Sequence, residues 1–106
     1  MEDRYTIVEH PHELHGVVGA PPTCYFGVFD GHEGALAAQY AATHLLANTL
    51  ASRHYVNAPR DALVEGFIAT DAAFNKHAMA RGFRDGSTAV VALLRSDQLV
   101  CRRENF

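Results

Sequence analysis

The sequence has no apolar run of the roughly 20 residues that a membrane-spanning helix requires, so we expect no membrane partner. Residues 1–4 are mostly charged, and no apolar stretch follows them, which excludes a typical secretory signal. There is no block of Lys and Arg, and the net charge is −3, so we expect no nucleic-acid partner either. These absences predict a cytoplasmic or nuclear protein that is not secreted.

Cysteine is scarce in this chain. Cys24 and Cys101 are the two cysteines, and they lie far apart without forming a C-x-x-C motif. We expect two reduced thiols rather than a disulfide, because a cytosolic or nuclear environment keeps isolated thiols reduced.

Several catalytic motifs are missing as well. The His32-Glu33 pair lacks the second histidine of H-E-x-x-H, and neither a Walker loop nor G-x-S-x-G occurs. Asp30-Gly31-His32 does not follow the EF-hand pattern. Asp30 rather than arginine stands six residues after Cys24, which excludes a cysteine-phosphatase loop. Three histidines in one segment could bind zinc, although a solvated loop is the favoured interpretation: His10, His12 and His15.

What remains is the composition of one small globular domain, with 106 residues of which 48% are hydrophobic and 20% charged. β-prone residues predict strands at 5–9 and 24–29, separated by a long loop. The alanine-rich segment 34–52 predicts a helix, and a second helix should begin near Asn57 as cap with Pro59 in its first turn. Apolar residues at helical spacing carry this second helix to about residue 80: Leu63, Phe67, Phe74 and Ala78.

The C-terminal third predicts two further strands. Residues 87–94 form a continuous apolar run, which predicts a central strand buried on both faces. Residues 95–98 have the composition of a hairpin turn, and a last strand begins at Leu99. Because strands and helices are grouped rather than alternating, the order indicates the α+β class with an antiparallel sheet.

Three acidic residues become neighbours if the first two strands pair antiparallel. Glu2 and Asp3 precede the first strand and Asp30 closes the second, so all three would lie at one end of the sheet. Such carboxylates repel one another unless a cation joins them, and oxygen ligands suit Mg²⁺ or Mn²⁺. Gly31 would allow the backbone to approach an ion closely. The alternative is that Glu2 and Asp3 are solvated charges and Asp30 is an ordinary turn residue.

His32 adjoins this acidic group. Its ordinary pKa, about 6.5, suits a general acid, although a solvent-exposed side chain at a helix entry is the simpler interpretation. By chemistry alone, Asp85-Gly86-Ser87-Thr88 is only a turn.

Three segments together resemble the metal-dependent serine/threonine protein phosphatases of the 2C type. Residues 25–34, Y-F-G-V-F-D-G-H-E-G, are similar to the family's metal-binding signature F-x-V-F/Y-D-G-H-G-G. Residues 1–3, M-E-D, and residues 86–89, G-S-T-A, resemble two further family motifs, and all three occur in the family's order. The resemblance extends to about residue 100.

The resemblance implies a fold and a set of roles. The fold would be part of a four-layer α-β-β-α sandwich with antiparallel sheets. A complete domain would hold two Mg²⁺ or Mn²⁺ ions, with Asp30 bridging them, Glu2 on one ion and the Gly31 carbonyl on the other. Asp3 would support the ligands without being one, and His32 would protonate the leaving oxygen. The implied partners are proteins carrying phosphoserine or phosphothreonine.

The chain also departs from the family pattern. Glu33 replaces a glycine, and residues 101–106, C-R-R-E-N-F, stand where the family continues into a G-D-S-R turn. The family's later metal-binding aspartates are absent. We therefore expect residues 1–106 to form a single partial domain that is inactive alone. The alternative is a non-catalytic isoform or pseudophosphatase that acts as a binding module.

Overall fold

A computed structural model describes residues 3–9, 11, 16, 18–32, 36–81, 86–95 and 98–105, with the backbone alone for Asp3, His32, 77–81, Gly86 and Ser87. The elements are β1 (Asp3–Glu9), β2 (Thr23–His32), α1 (Leu36–Leu50), α2 (Pro59–Arg81), β3 (Gly86–Arg95) and β4 (Gln98–Asn105). This order confirms the order predicted from the sequence.

The described strands form one four-stranded sheet in the order β1-β2-β3-β4. Each neighbouring pair is antiparallel, which confirms the predicted α+β class. Arg95 pairs with Gln98 at the end of the β3–β4 hairpin, and the predicted turn residues Ser96 and Asp97 lie outside the described residues. The sheet is thus a meander with the helices inserted between its second and third strands.

The two helices pack on one face of the sheet and on each other. Leu45 and Leu50 of α1 and Leu63 of α2 join strand residues in a single buried cluster. α2 begins at Pro59 as predicted, but the carbonyl of Ala58, not Asn57, accepts the first helical hydrogen bond, from the Ala62 N–H. Among the described residues, no helix combines the length and apolar character needed to cross a bilayer.

The prediction that the 87–94 strand is buried on both faces is wrong for the described part of the chain. Ala89, Val91 and Leu93 of β3 are fully buried against the helices. Val90 and Leu94, which project from the opposite face, are 46% and 45% exposed. The strand is central in the sheet, but both described helices lie on its other side, so its continuous apolar run reflects one buried face and one open apolar face.

Candidate metal centre

Four residues lie side by side across one end of the sheet, and we call them the polar row: Asp3, Asp30, Thr88 and Asn105. Asp3 is opposite Asp30 on β2, Asp30 is opposite Thr88 on β3, and Thr88 is opposite Asn105 on β4. Directly opposed residues in antiparallel strands have Cβ atoms about 4.5–5.5 Å apart. The antiparallel pairing of the first two strands therefore places Asp3 beside Asp30, as predicted.

The strands extend further than the sequence predicted. The second predicted strand ends at residue 29, but Asp30, Gly31 and His32 continue β2, because β3 pairs with every β2 residue from Thr23 to His32. Asp3 likewise belongs to β1 instead of preceding it. Glu2 lies outside the described residues. The roles assigned to all five site residues stay predictions: Glu2, Asp3, Asp30, Gly31 and His32.

Asp30 is open to solvent, while its neighbours Phe29 and Gly31 are buried. This alternation follows from the pleat of a strand, which turns successive side chains to opposite faces. The Asp30 carboxylate is therefore accessible on the face that the helices leave free. Among the side chains that the structure describes, no three His, Cys, Asp or Glu residues come together.

Sequence reasoning missed two members of the polar row. The Thr88 hydroxyl donates a hydrogen bond of 3.2 Å to the Asn105 Oδ1 atom. Thr88 belongs to the strand predicted over residues 87–94, and β3 places it beside Asp30, but no role in the site was predicted for it. The G-S-T-A match was the sequence feature that could have pointed to Thr88. Asn105 lies in the divergent tail, where no motif marks it as part of a site.

A packed inner face supports the strand that carries Asp30. Tyr25 and Phe29 are buried on either side of Gly27 on the helix-facing side of β2. A Cβ atom at Gly27 would lie 2.9 Å from the Phe29 ring and 3.2 Å from the Tyr25 hydroxyl. The two rings therefore pack over the Gly27 backbone, and this packing fixes the position of the strand that ends with Asp30.

The family follows from comparison with known proteins. The protein phosphatase 2C family model matches residues 1–102. This chain belongs to the protein phosphatase 2C family. One relative of this phosphatase 2C chain is mouse "Protein phosphatase 1E", which is 34% identical over 99 residues covering 93% of the chain and 13% of that protein. The chain spans 13% of the length of this mouse protein and 27% of the length of rice "Probable protein phosphatase 2C 56".

Two solved structures share the fold of this phosphatase 2C chain. The structure of a C. elegans sex determining protein superposes with a TM-score of 0.72 and 31% identity, covering 92% of this chain and 24% of the other. A serine-threonine phosphatase 2C from Toxoplasma gondii has a TM-score of 0.69 at 17% identity, covering 96% of this chain and 44% of the other. The second similarity supports the fold alone.

The donors in this phosphatase 2C chain fit a hard divalent cation. The described side chains of the polar row offer the Asp30 carboxylate, the Thr88 hydroxyl and the Asn105 amide. Oxygen donors of this kind suit Mg²⁺ or Mn²⁺ better than zinc, which prefers nitrogen and sulfur ligands. The Gly31 backbone, buried next to Asp30, adds a carbonyl to the same end of the strand.

Proposed function

We propose that this chain contributes the N-terminal metal ligands of a metal-dependent serine/threonine protein phosphatase. The observation that carries the proposal is the register that sets Asp3 opposite Asp30 and Asp30 opposite Thr88. It unites at one sheet end the three segments whose motifs resemble the family. The substrates would be proteins carrying phosphoserine or phosphothreonine, in the cytoplasm or nucleus.

Each residue would have a separate task. Asp30, Glu2 and the Gly31 carbonyl would hold Mg²⁺ or Mn²⁺, two ions in the complete domain. Asp3 would support the metal ligands without binding an ion itself. The ions would supply an acidified water molecule for attack on phosphorus. His32 would donate a proton to the serine or threonine oxygen as its bond to phosphorus breaks.

A non-catalytic binding module is the second candidate. It is favoured by Glu33, which replaces a glycine of the family signature three positions after Asp30 in the sequence. An additional negative charge beside phosphate would oppose substrate binding by electrostatic repulsion.

Calorimetric titration with Mn²⁺ tests the metal assignment. We expect weak binding by the 106-residue chain, which Asp30→Asn abolishes because it removes the charge while keeping the side-chain shape. Glu9→Gln is the matched control, since Glu9 is an exposed carboxylate at the opposite end of β1. Binding that is equal in Asp30→Asn and the unchanged chain would refute the assignment of Asp30.

A further inference from the structure

Asn105, the last residue of β4, forms a hydrogen bond inside the polar row. Its Oδ1 atom accepts the Thr88 hydroxyl proton at 3.2 Å. Thr88 stands between Asn105 on β4 and Asp30 on β2, and the strand register sets it opposite both of them. Asn105 belongs to the segment 101–106, which departs from the phosphatase 2C pattern, so this hydrogen bond is a feature of the present chain.

The three side chains share one face of the sheet. Successive side chains of a strand point to opposite faces. The buried Phe29 and Ala89 point toward the helices, so their sequence neighbours Asp30 and Thr88 point away from the helices. Asn105 extends to the same face, because its oxygen reaches the Thr88 hydroxyl. The Thr88 oxygen therefore adjoins the space into which the exposed Asp30 carboxylate opens.

We propose that Asn105 is a positioning residue of the metal centre and acts through Thr88. By accepting the Thr88 proton, Asn105 leaves the lone pairs of the Thr88 oxygen available on the side of the sheet end where Asp30 binds the cation. Asn105 itself makes no bond to the ion. This role of Asn105 rests on the proposed function, because it requires Asp30 to be a metal ligand.

The chemistry of a hydroxyl explains why the acceptor matters. Thr88 has one hydroxyl proton and two lone pairs on its oxygen. Directly opposed residues have Cβ atoms about 4.5–5.5 Å apart, so without Asn105 the Asp30 carboxylate becomes the nearby acceptor for that proton. A hydrogen bond to an ionised acceptor is strong. It would occupy a carboxylate oxygen and turn a proton toward the cation, and both effects oppose metal binding.

Distance argues against Asn105 as a ligand of the same ion. Neighbouring strands are about 4.8 Å apart, so β4 lies roughly 10 Å from β2. Bonds from Mg²⁺ to its oxygen ligands are only about 2.1 Å long, and β3 with Thr88 lies between the two strands. The Asn105 oxygen is also engaged by the Thr88 proton. Asn105 is therefore placed to orient the Thr88 hydroxyl rather than to bind the cation.

Calorimetric titration of the 106-residue chain with Mn²⁺ tests this role. We expect Asn105→Leu, which keeps the side-chain size but removes the acceptor, to raise the dissociation constant about 2–10-fold, the effect of one hydrogen bond between neutral groups. Asn105→Asp keeps an acceptor oxygen for Thr88 and should bind Mn²⁺ at least as tightly as the unchanged chain. Gln98→Leu is the matched control, because Gln98 is an exposed amide at the other end of β4, and it should leave the dissociation constant unchanged.

A double-mutant cycle with Thr88→Val separates an effect through the hydroxyl from a general loosening of the sheet end. In the Thr88→Val background the proton is absent, so Asn105→Leu should cause no further loss of Mn²⁺ affinity. A loss as large in that background as in the unchanged chain would show that Asn105 acts without Thr88 and would overturn the proposal. Circular dichroism on each variant checks that the strands and helices are retained.

Asp30→Asn, titrated in parallel, distinguishes failure of this role from failure of the proposed function. If Asp30→Asn leaves Mn²⁺ binding unchanged, Asp30 is not a ligand, and the role of Asn105 falls together with the proposed function. If Asp30→Asn abolishes binding while Asn105→Leu binds Mn²⁺ as tightly as the unchanged chain, the metal assignment of Asp30 stands and the role of Asn105 alone is refuted.

Discussion

The guanidinium of Arg95 lies over the ring of Tyr55, with its central carbon 4.8 Å from the ring centroid. Both side chains are buried, and Arg95 donates hydrogen bonds to the Thr23 hydroxyl at 3.0 Å and to the carbonyls of Val56, at 2.7 Å, and Tyr55. Arg95, at the end of β3, therefore links the α1–α2 turn, through Tyr55 and Val56, to the end of the sheet.

We expect Arg95→Lys to destabilise the fold by about 2–4 kcal/mol. Lysine cannot reproduce a planar fork that donates to three acceptors, and each hydrogen bond from a charged donor contributes about 1.5–3 kcal/mol. Urea unfolding followed by circular dichroism measures the change. Arg53→Lys is the control at an exposed position in the same turn and should change stability by less than about 0.5 kcal/mol. Equal midpoints for the two variants would contradict this role of Arg95.

Gly66→Ala should weaken the packing of α1 against α2. A Cβ atom at Gly66 would lie 2.3 Å from the Thr49 hydroxyl and 3.0 Å from the Thr49 Cα and N atoms. Overpacking of this kind costs about 1–3 kcal/mol, which exceeds the roughly 1 kcal/mol by which alanine favours a helix over glycine. Thermal unfolding should show a lower midpoint in this variant.

The double variant Gly66→Ala/Thr49→Ala separates side-chain clash from backbone clash. Removing the Thr49 hydroxyl should recover part of the loss, and the remainder reports the contact with the Thr49 backbone. If Gly66→Ala is at least as stable as the unchanged chain, the described approach of the two helices is wrong.

Tyr25→Phe should reduce the loss of stability at alkaline pH. The Tyr25 hydroxyl is buried without a hydrogen-bond partner in the described residues, and burial raises the pKa of this phenol above its ordinary value of about 10. Above about pH 10 the unfolded chain therefore releases a proton that the folded chain retains, so stability falls as pH rises. Phenylalanine has no hydroxyl to ionise, so this fall in stability at high pH disappears. At neutral pH the substitution also removes a buried polar group that has no hydrogen-bond partner in the described residues.

Urea midpoints measured at neutral pH and above about pH 10 test this expectation. At neutral pH, Tyr25→Phe should be at least as stable as the unchanged chain, and its midpoint should fall less at high pH. Tyr5→Phe is the control, because Tyr5 is 77% exposed. A neutral-pH loss of more than about 1 kcal/mol would show that the hydroxyl has a favourable partner.

Local sequence patterns were sufficient to predict the order of the helices and strands and the antiparallel pairing of the sheet. They also brought Asp3 near Asp30, because that juxtaposition needs only the pairing of two successive strands. They failed where residues distant in the sequence determine the local backbone conformation. Asp30 to His32 look like a turn in isolation, but the neighbouring strand β3 keeps them extended.

Arg95 illustrates the same limit. It was assigned to a hairpin turn, yet it is buried by partners 39 to 72 residues away along the chain. The open face of β3 was missed for a related reason. An apolar run shows that both sides of a strand are hydrophobic, but it does not reveal which element covers each side. The described helices cover one side only.

The last prediction concerns catalysis and depends on the proposed function. The 106-residue chain should have little or no activity toward a phosphothreonine peptide, with or without Mn²⁺. Two divalent cations about 4 Å apart repel strongly unless several carboxylates surround them. Asp30, Glu2 and one carbonyl provide too few charges for two ions, and a general acid such as His32 contributes only about 10²–10⁴-fold.

A chimera in which residues 1–100 continue into the C-terminal part of a phosphatase 2C domain supplies the comparison. It should hydrolyse the peptide with Mn²⁺, and Asp30→Asn should abolish this activity while leaving its thermal midpoint nearly unchanged. Turnover by the 106-residue chain that Asp30→Asn removes would show that the short chain builds a competent site. A chimera that binds Mn²⁺ but remains inactive would instead implicate Glu33, and Glu33→Gly should then restore hydrolysis. If Glu33→Gly also fails, the binding-module candidate is favoured over the phosphatase, because metal is bound and the family's glycine has been restored.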